Sequence, residues 1–452
     1  MNLPGQPADA PSSLPTWTPS GKRLWVYPQR ISGKHSNRRK YLAFILLAIY
    51  MIVPWAEWNG LPLLRLDIRH NSLFVFTNLF RLTDATYLVF LFLGLGFGLF
   101  FVTAYRGRVF CGYVCPQTVF LDWLIRPIEE WLEGSYAKRR LMNQKGLTSK
   151  QILRRILKHL IFFLIAAFLS HNLIAFFIKP SELAEWMSGD PRNHSIAFAF
   201  STAIAFILYF NFAYVREQFC SFLCPYARFQ SILLDRQTPA VSYDFNRGDP
   251  RGKRSGGDCI DCNFCVRVCP AGIDIRNGTQ LECIQCMRCV DACDKIMLNL
   301  GKKPGLIRMA SYQEIFGGMK SKFRIRPVIY GAILVLSALL AITRLSGRKA
   351  VTVFVTRQPG AVYGELPTGD ILNSFKFTMA NTTSKPQDIA LTLKDTKEGR
   401  IICGACTVPL PAYQTMPIPV ILVFPKGRTP ESVEIEMISS GEKWKLPFIA
   451  PH

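Results

Sequence analysis

Eight of the fourteen cysteines lie between residues 259 and 293, in two runs of equal spacing. Cys259, Cys262, Cys265 and Cys269 form the first, followed by Pro270; Cys283, Cys286, Cys289 and Cys293 form the second. Three thiolates in a tight loop reach three corners of an iron–sulfur cube, and a fourth further along closes it. In the bacterial two-cluster pattern that fourth thiolate belongs to the other run. The spacing therefore predicts one [4Fe–4S] centre on Cys259, Cys262, Cys265 and Cys293, and a second on Cys283, Cys286, Cys289 and Cys269. Asp294 stands where a second proline is usual, which loosens one turn and removes no ligand. Two four-cysteine zinc sites would need cysteine pairs separated by a longer loop. Structural disulfides are disfavoured on the reducing side of a membrane, where the charge pattern below puts this cassette. Arg267, Arg276, Arg288 and Lys295 either temper cluster charge and attract an acidic donor or form a solvated basic face.

Four further cysteines repeat a shorter motif. Phe110-Cys111-Gly112-Tyr113-Val114-Cys115-Pro116 is matched by Phe219-Cys220-Ser221-Phe222-Leu223-Cys224-Pro225, with Phe120 and Phe229 in register and Arg106 and Arg216 near each start. Cysteines four apart share a face if helical, and proline pushes its predecessor toward extended backbone. Cys115 and Cys224 are thus expected where each helix ends. Parallel i, i+4 side chains suit a disulfide poorly. Brought together by the repeat, Cys111, Cys115, Cys220 and Cys224 would make a four-thiolate site for an additional soft metal, or a dithiol redox relay. The plainer alternative is that they are buried small hydrophobes.

Other signals are weaker. Cys403-Gly-Ala-Cys406 reads as a disulfide, with a copper(I) clamp or redox pair as alternatives. His171 falls inside an apolar run and His159 at its edge, where an ionisable group is a functional candidate; packing or quinone contact is the modest reading. Glu57, beside Trp55 and Trp58, reads as an interface residue or, more sharply, a quinol proton acceptor. Gly94, Gly96 and Gly98 are embedded in an apolar helix and read as packing glycines, not a nucleotide loop.

The elements that must hold these residues are membrane helices. Five apolar runs are visible: Tyr41–Trp58, Ala85–Tyr105, Leu160–Ile178, Ile196–Val215 and Val328–Thr343. A span needs roughly 20 residues; four runs qualify, and the fifth is short unless Ile325 and Pro327 extend it. Lys and Arg number seven before Tyr41, eleven in 106–158 and eighteen in 216–326, against three in 59–84 and two in 179–194. By the positive-inside rule this alternation places the N-terminus and the cysteine cassette in the cytoplasm and the C-terminal domain outside. Two helix pairs, each ending inside in Cys-x3-Cys-Pro, suggest parallel repeats about an axis along the membrane normal.

The chain then divides into a disordered basic tail (1–40), four transmembrane helices (41–58, 85–105, 160–178 and 196–215) and a cytoplasmic segment (216–326) with the cluster module at about 255–303. A fifth helix (327–344) and an outer domain (345–452) follow. In that last part short β-type runs such as Val351–Val355, Ser374–Thr378 and Val420–Phe424 alternate with Gly, Pro and Asn clusters, as in a small sandwich. The predicted fold class is a multi-domain membrane protein: an α-helical bundle of five transmembrane helices, an inserted two-cluster ferredoxin-like module and a C-terminal all-β, immunoglobulin-like sandwich.

Composition agrees with that division. Of 452 residues 49% are hydrophobic and 19% charged, with mean hydropathy +0.17. This excludes a disordered protein and fits an ordinary soluble enzyme poorly. The net charge of +23 reflects basic flanks of spans rather than a nucleic-acid partner.

The five spans, the paired Cys-x3-Cys-Pro motifs, the two-cluster cassette and the outer sandwich together resemble the CcoG/FixG (RdxA) family, over nearly the whole chain from about residue 20. The resemblance implies a bacterial inner-membrane accessory protein of the cbb3-type haem–copper oxidase that reduces Cu(II) to Cu(I) for copper insertion. It implies copper as substrate and, as partners, copper transport and oxidase assembly factors or oxidase subunits, with an unknown electron donor. By position its cluster ligands are the eight cassette cysteines, and its membrane pairs Cys111/Cys115 and Cys220/Cys224. The ferredoxin and membrane portion also looks like quinol dehydrogenases that feed periplasmic reductases, for which Glu57, His70 or His171 would release protons. A non-enzymatic scaffold, its sandwich docking assembly partners, is the third reading.

Overall fold

The computed structural model describes residues 23–68, 72–76, 78–81, 85–145, 148–252, 256–280, 282–317, 324–346, 350–383, 385–394, 399–403, 407–438 and 441–451. The chain divides into two compact units, Met1–Glu57 with Thr86–Ile342, and Trp58–Ala85 with Thr343–His452.

Three helices of the first unit are long and apolar enough to cross a membrane, within Val89–Arg106, Arg192–Val215 and Ile325–Arg344. Their large apolar side chains, among them Phe92, Leu95, Phe198, Ile207, Leu336 and Leu339, are exposed on the protein surface, as lipid-facing residues must be. On that basis the chain is a membrane protein. The runs Tyr41–Trp58 and Leu160–Ile178 begin in the helices Lys34–Ile52 and Ser149–Ile174 but outlast them, since the helices end at Ile52 and Ile174. Both helices begin in charged sequence, and neither reaches that class of length and composition among the described residues. Within the helix Ala85–Arg106, a Cβ at Gly94 would lie 3.7 Å from Ser337 Oγ and one at Gly98 would lie 3.9 Å from Leu334 Cδ1. These glycines therefore face the helix Ile325–Ser346 at ordinary packing distance.

The tail expected up to residue 40 ends earlier. Residues 1–22 lie outside the described residues, but a helix begins at Lys34 because its start is capped from far along the chain. The His35 and Ser36 backbone N–H groups donate to the two carboxylate oxygens of Asp291 at 3.1 and 2.7 Å. A carboxylate there satisfies orphan donors and complements the helix dipole. Gly33 is needed for this approach, since a Cβ would sit 2.4 Å from Asp291 Cγ.

The cassette is bracketed by an antiparallel pair, Ala240–Tyr243 with Ile307–Ala310. Its core is Val241, Tyr243, Ile273, Ile275, Met297 and Leu306, packed around the cysteines.

The second unit contains an antiparallel sandwich. One sheet runs Arg400–Cys403, Thr415–Phe424, Ile371–Asn381, Val351–Arg357, with Gly364–Glu365 also paired to Ile371–Asn381. The other runs Thr407–Leu410, Gln387–Lys394, Ser432–Met437, Glu442–Pro447. Ile371, Phe375, Phe377 and Met379 alternate inward, and Val433, Ile435 and Met437 answer from the other sheet. Each such side chain contributes about 1.5–3 kcal/mol by burial. The same unit holds a three-stranded meander, Leu64–Asp67, Ser72–Val75 and Asn78–Arg81.

Candidate iron–sulfur and copper site

Two cavities of about 360 Å³ each open inside the cassette. One is lined by Cys259, Cys262, Cys265 and Cys293, with Tyr243 and Arg276. The other is lined by Cys269, Cys283, Cys286 and Cys289, together with Cys265. Both runs use one backbone device. Asp261 and Asn263 flank Cys262 with φ of 57° and 56°, and Gln285 and Met287 flank Cys286 with φ of 54° and 60°. Left-handed backbone on either side of the middle cysteine curls each run around its cavity. The helices Phe264–Arg267 and Arg288–Asn299 start immediately afterwards. Such conformations cost about 1–3 kcal/mol per non-glycine residue, which a bound group can offset. Among the described residues no three Cys, His, Asp or Glu side chains converge on a single-ion position. Thiols spread around a cavity suit a cube of metal and sulfide better than one zinc ion. Cys259, Cys262, Cys265 and Cys293 at the first cavity, and Cys269, Cys283, Cys286 and Cys289 at the second, could therefore each hold a [4Fe–4S] group.

The first membrane motif lies directly against the second cavity. Cys111 is buried with Ile284 and Cys286, and Tyr226 packs on the same cluster. A Cβ at Gly112 would come within 2.6 Å of the Ile284 carbonyl and 3.1 Å of Cys286 N and Cα, so glycine permits the contact. The Cys115 N–H donates to the Phe110 carbonyl at 3.0 Å and the Cys224 N–H to that of Phe219 at 2.8 Å. These bonds reach back five residues: the first closes the expected regular helix Val109–Tyr113, and the second belongs to a wide turn over Phe219–Leu223 where a regular i, i+4 helix was expected. Pro116 and Pro225 then open the helices Pro116–Val119 and Pro225–Leu233 at the position where a missing N–H costs nothing.

The repeat brings the four thiols into mutual electrostatic range: Cys111 with Cys115 and Cys224, Cys115 with Cys224, and Cys220 with the other three. Burial pushes Cys111 up to about 11 against the pull of Arg108, and Cys220 up to about 12. Cys111 Sγ donates to Gln230 Oε1 at 3.1 Å, which also accepts Arg108 Nε at 3.1 Å.

Sequence reasoning missed a buried ion network that ties these parts together. Asp122 accepts Arg39 Nη2 at 2.8 Å and Arg126 Nη1 at 2.5 Å, and Arg288 Nη2 lies 3.5 Å away. Arg126 Nη2 also donates to the Pro270 carbonyl, beside Cys269, at 3.0 Å. Burial alone would raise the Asp122 carboxyl, but Arg288, Arg126 and Arg39 hold it below the ordinary carboxylate range. Glu129 is gripped by Arg216 and also paired to Arg139 at 3.4 Å and Lys158 at 3.9 Å. Against its burial these cations bring it down to about 2. The available signal was Asp122, Glu129, Glu130 and Glu133, four acids concentrated in a segment otherwise rich in Lys and Arg.

The remaining candidates divide. Arg276 and Arg288 are buried, whereas Arg267 and Lys295 are exposed. His171 Nδ1 is 2.7 Å from its own helix's Ala167 carbonyl and Nε2 is 3.5 Å from Ser201 Oγ, the geometry of a packed residue. His159 Nδ1 lies 3.1 Å from the Tyr209 hydroxyl. Glu57 is exposed, and His70 lies outside the described residues. Cys403 is disulfide-bonded, and Cys406 lies outside the described residues.

Comparisons with known proteins follow the same division of the chain. A 4Fe-4S dicluster domain model matches residues 215–312, a 4Fe-4S binding domain model matches 87–136, and the IG-like fold at the C-terminal of FixG matches 341–445. Protein RdxA of Cereibacter sphaeroides is 30% identical over 441 residues, 92% of each chain. The chain belongs to the FixG/RdxA family. A second relative in that family, RdxB of the same organism, is 31% identical over 93% of this chain and 95% of its own. Nitrogen fixation protein FixG of Rhizobium meliloti is 33% identical over 66% of this chain and 59% of its own. This FixG/RdxA chain is thus an iron–sulfur electron-transfer protein, with its dicluster match spanning both cavities and its second 4Fe-4S match spanning Cys111 and Cys115.

Proposed function

We propose that this chain is a membrane cupric reductase that supplies Cu(I) for a cbb3-type oxidase. The clusters would be held by Cys259, Cys262, Cys265 and Cys293, and by Cys269, Cys283, Cys286 and Cys289. A [4Fe–4S] group supplies one electron at a time, which is what Cu(II) requires. Cu(I), the product, prefers thiolate to oxygen ligands. The observation that carries this reading is the packing of Cys111 and Gly112 on Cys286, with Cys115, Cys220 and Cys224 gathered beside them. Copper would meet the electron there, beside Cys111, Cys115, Cys220 and Cys224, which do not converge on one four-thiolate position, and Arg108 and Gln230 position the Cys111 thiol. Five spans, the N-terminus and clusters in the cytoplasm and the sandwich in the periplasm of a bacterial inner membrane complete the reading. The alternating Lys and Arg counts support it.

The test is Cu(I) formation, followed with a chelating dye, by dithionite-reduced protein. Cys111→Ala with Cys115→Ala, or Cys220→Ala with Cys224→Ala, should abolish Cu(I) formation while both clusters stay spectroscopically intact. Cys403→Ala with Cys406→Ala should keep most of it. Full activity in both membrane-pair variants would move copper reduction to the clusters themselves or to the outer pair.

A quinol dehydrogenase reading has one observation of its own. An open groove of about 950 Å³ is lined by Ile156, Phe163, Phe206 and the His159–Tyr209 pair, a suitable setting for a lipid-soluble ring with a proton to release. Reduction of the clusters by a quinol in place of dithionite would favour it.

A further inference from the structure

The two cavities sit in opposite electrostatic surroundings. Beside the first, Arg276 lines the cavity but is ion-paired to two carboxylates, Asp261 and Asp274, the latter at 2.6 Å. Asp294 adds its charge next to Cys293. Arg251 lies over the lining Tyr243 but is paired to Asp249 at 3.0 Å, so anions outnumber cations there. Beside the second the ratio reverses. Arg288 stands between Cys286 and Cys289 in the chain and acts on Cys286, and Arg108 acts on Cys283. Arg39 arrives from the N-terminal helix. Its Nε donates to the Gly112 carbonyl at 2.7 Å, and Gly112 is the residue pressed on Cys286. The anion shared by Arg39 and Arg288 is Asp122 alone.

Arg39 is 1% exposed, and its Nη1 has no hydrogen-bond partner among the described residues. A buried guanidinium N–H left unpaired is costly. Burial opposes its charge, and Cys286 followed by Asp122 favour it. Positive charge and hydrogen bonds near the sulfurs of a bound cluster would stabilise its reduced, more negative state.

We propose that Arg39, with Arg288 and Arg108, holds the cluster of Cys269, Cys283, Cys286 and Cys289 at a higher reduction potential than the cluster of Cys259, Cys262, Cys265 and Cys293. With both groups bound, these charges would make one-electron transfer downhill from the site of Cys259, Cys262, Cys265 and Cys293 to that of Cys269, Cys283, Cys286 and Cys289, the donor losing one electron and the acceptor gaining it with no proton or bond exchanged. The acceptor site is the one on which Cys111 packs. Arg39 is a positioning and potential-setting residue, not a catalytic one. The inference rests on the crossed ligand sets proposed above and not on copper.

The experiment is an EPR-monitored redox titration of the full-length, cluster-loaded protein in detergent, with dithionite as reductant. Cys262→Ser first assigns the signals: it should remove the lower-potential one. Loss of the higher-potential signal instead would put the first cluster at the higher potential and overturn the proposal, whereas the ligand assignment is tested separately by Cys269→Ser and Cys293→Ser. Arg39→Gln should then shift the higher midpoint downward and leave the lower in place, and Arg39→Lys should restore most of the shift. Asp122→Asn, which removes the opposing anion, should move the same midpoint upward. A merely structural role predicts no such reversal of sign. If Arg39→Gln loses iron, Arg39→Lys and Asp122→Asn decide. The proposal is overturned if the second cluster is the lower-potential one in the unmodified protein. It is also overturned if Asp122→Asn fails to raise its midpoint, or if Arg39→Gln at full iron content leaves both midpoints where they were.

Discussion

Arg216 holds both carboxylate oxygens of Glu129, Nη1 on Oε1 at 2.7 Å and Nη2 on Oε2 at 2.8 Å, with both side chains almost wholly buried. Glu129 follows the first Cys-x3-Cys-Pro motif and Arg216 precedes the second, so one bidentate pair locks the two halves of the repeat in register. Glu129→Gln would leave Arg216, Arg139 and Lys158 facing a neutral group, and should cost about 3–5 kcal/mol of stability. The pH dependence has a definite sign. The folded value of Glu129 is depressed from 4.5 to about 2, so its contribution is full above about 4.5 and lost as pH falls through about 2. Circular dichroism of detergent-solubilised protein should show a steeper acid loss over that window in the unmodified chain than in Glu129→Gln.

Ligand crossing separates two single mutants. Cys293→Ser should damage the cluster bound by Cys259, Cys262 and Cys265, and Cys269→Ser the one bound by Cys283, Cys286 and Cys289. Iron content and EPR of each variant measure this. Loss in each case of the cluster of the mutated cysteine's own run would show the assignment to be wrong.

Gly112→Ala forces a methyl group to within 2.6 Å of the Ile284 carbonyl and 3.1 Å of Cys286. Backbone on both sides cannot yield cheaply, and overpacking of this kind typically costs about 1–3 kcal/mol. The expected result is a perturbed or labile second cluster with the first intact, read as a partial loss of iron and of one EPR signal. Two unchanged signals would mean that the motif and the cluster loop are not in rigid contact.

Reporter fusions test the topology. A reporter joined after Leu345 should be active only in the periplasm, and one joined near Arg251 only in the cytoplasm. The reverse at either junction would put the clusters in another compartment and remove the five-span arrangement.

Legibility followed the range of the information. Cys259 to Cys269 and Cys283 to Cys293 are chain-local patterns, so a spacing rule finds them and the structure places four of them around each cavity. The sandwich strands were visible as short β-type runs such as Ser374 to Thr378, which lies inside the strand Ile371–Asn381. What sequence could not show was which charges leave water. Arg38, Arg39 and Lys40 read alike as basic flank, yet Arg39 is buried and its partner Asp122 lies 83 positions away. Asp291 reads as an ordinary helix residue, and its work on His35 and Ser36 spans more than 250 positions. The unexpected wide turn at Phe219–Cys224 has no composition signal beyond the proline that follows it.

The cap on Lys34–Ile52 also sets an order of events during synthesis. The helix emerges from the ribosome early, but the carboxylate that closes its first turn belongs to the helix that carries Cys289 and Cys293, translated more than two hundred residues later. Until that segment is made, the opening N–H groups of this helix lack the carboxylate that caps them, and the stretch around Lys34 to Lys40 is more open to trypsin-like proteases. Resistance to cleavage at Arg38 therefore reports that a segment far along the chain has been made and docked.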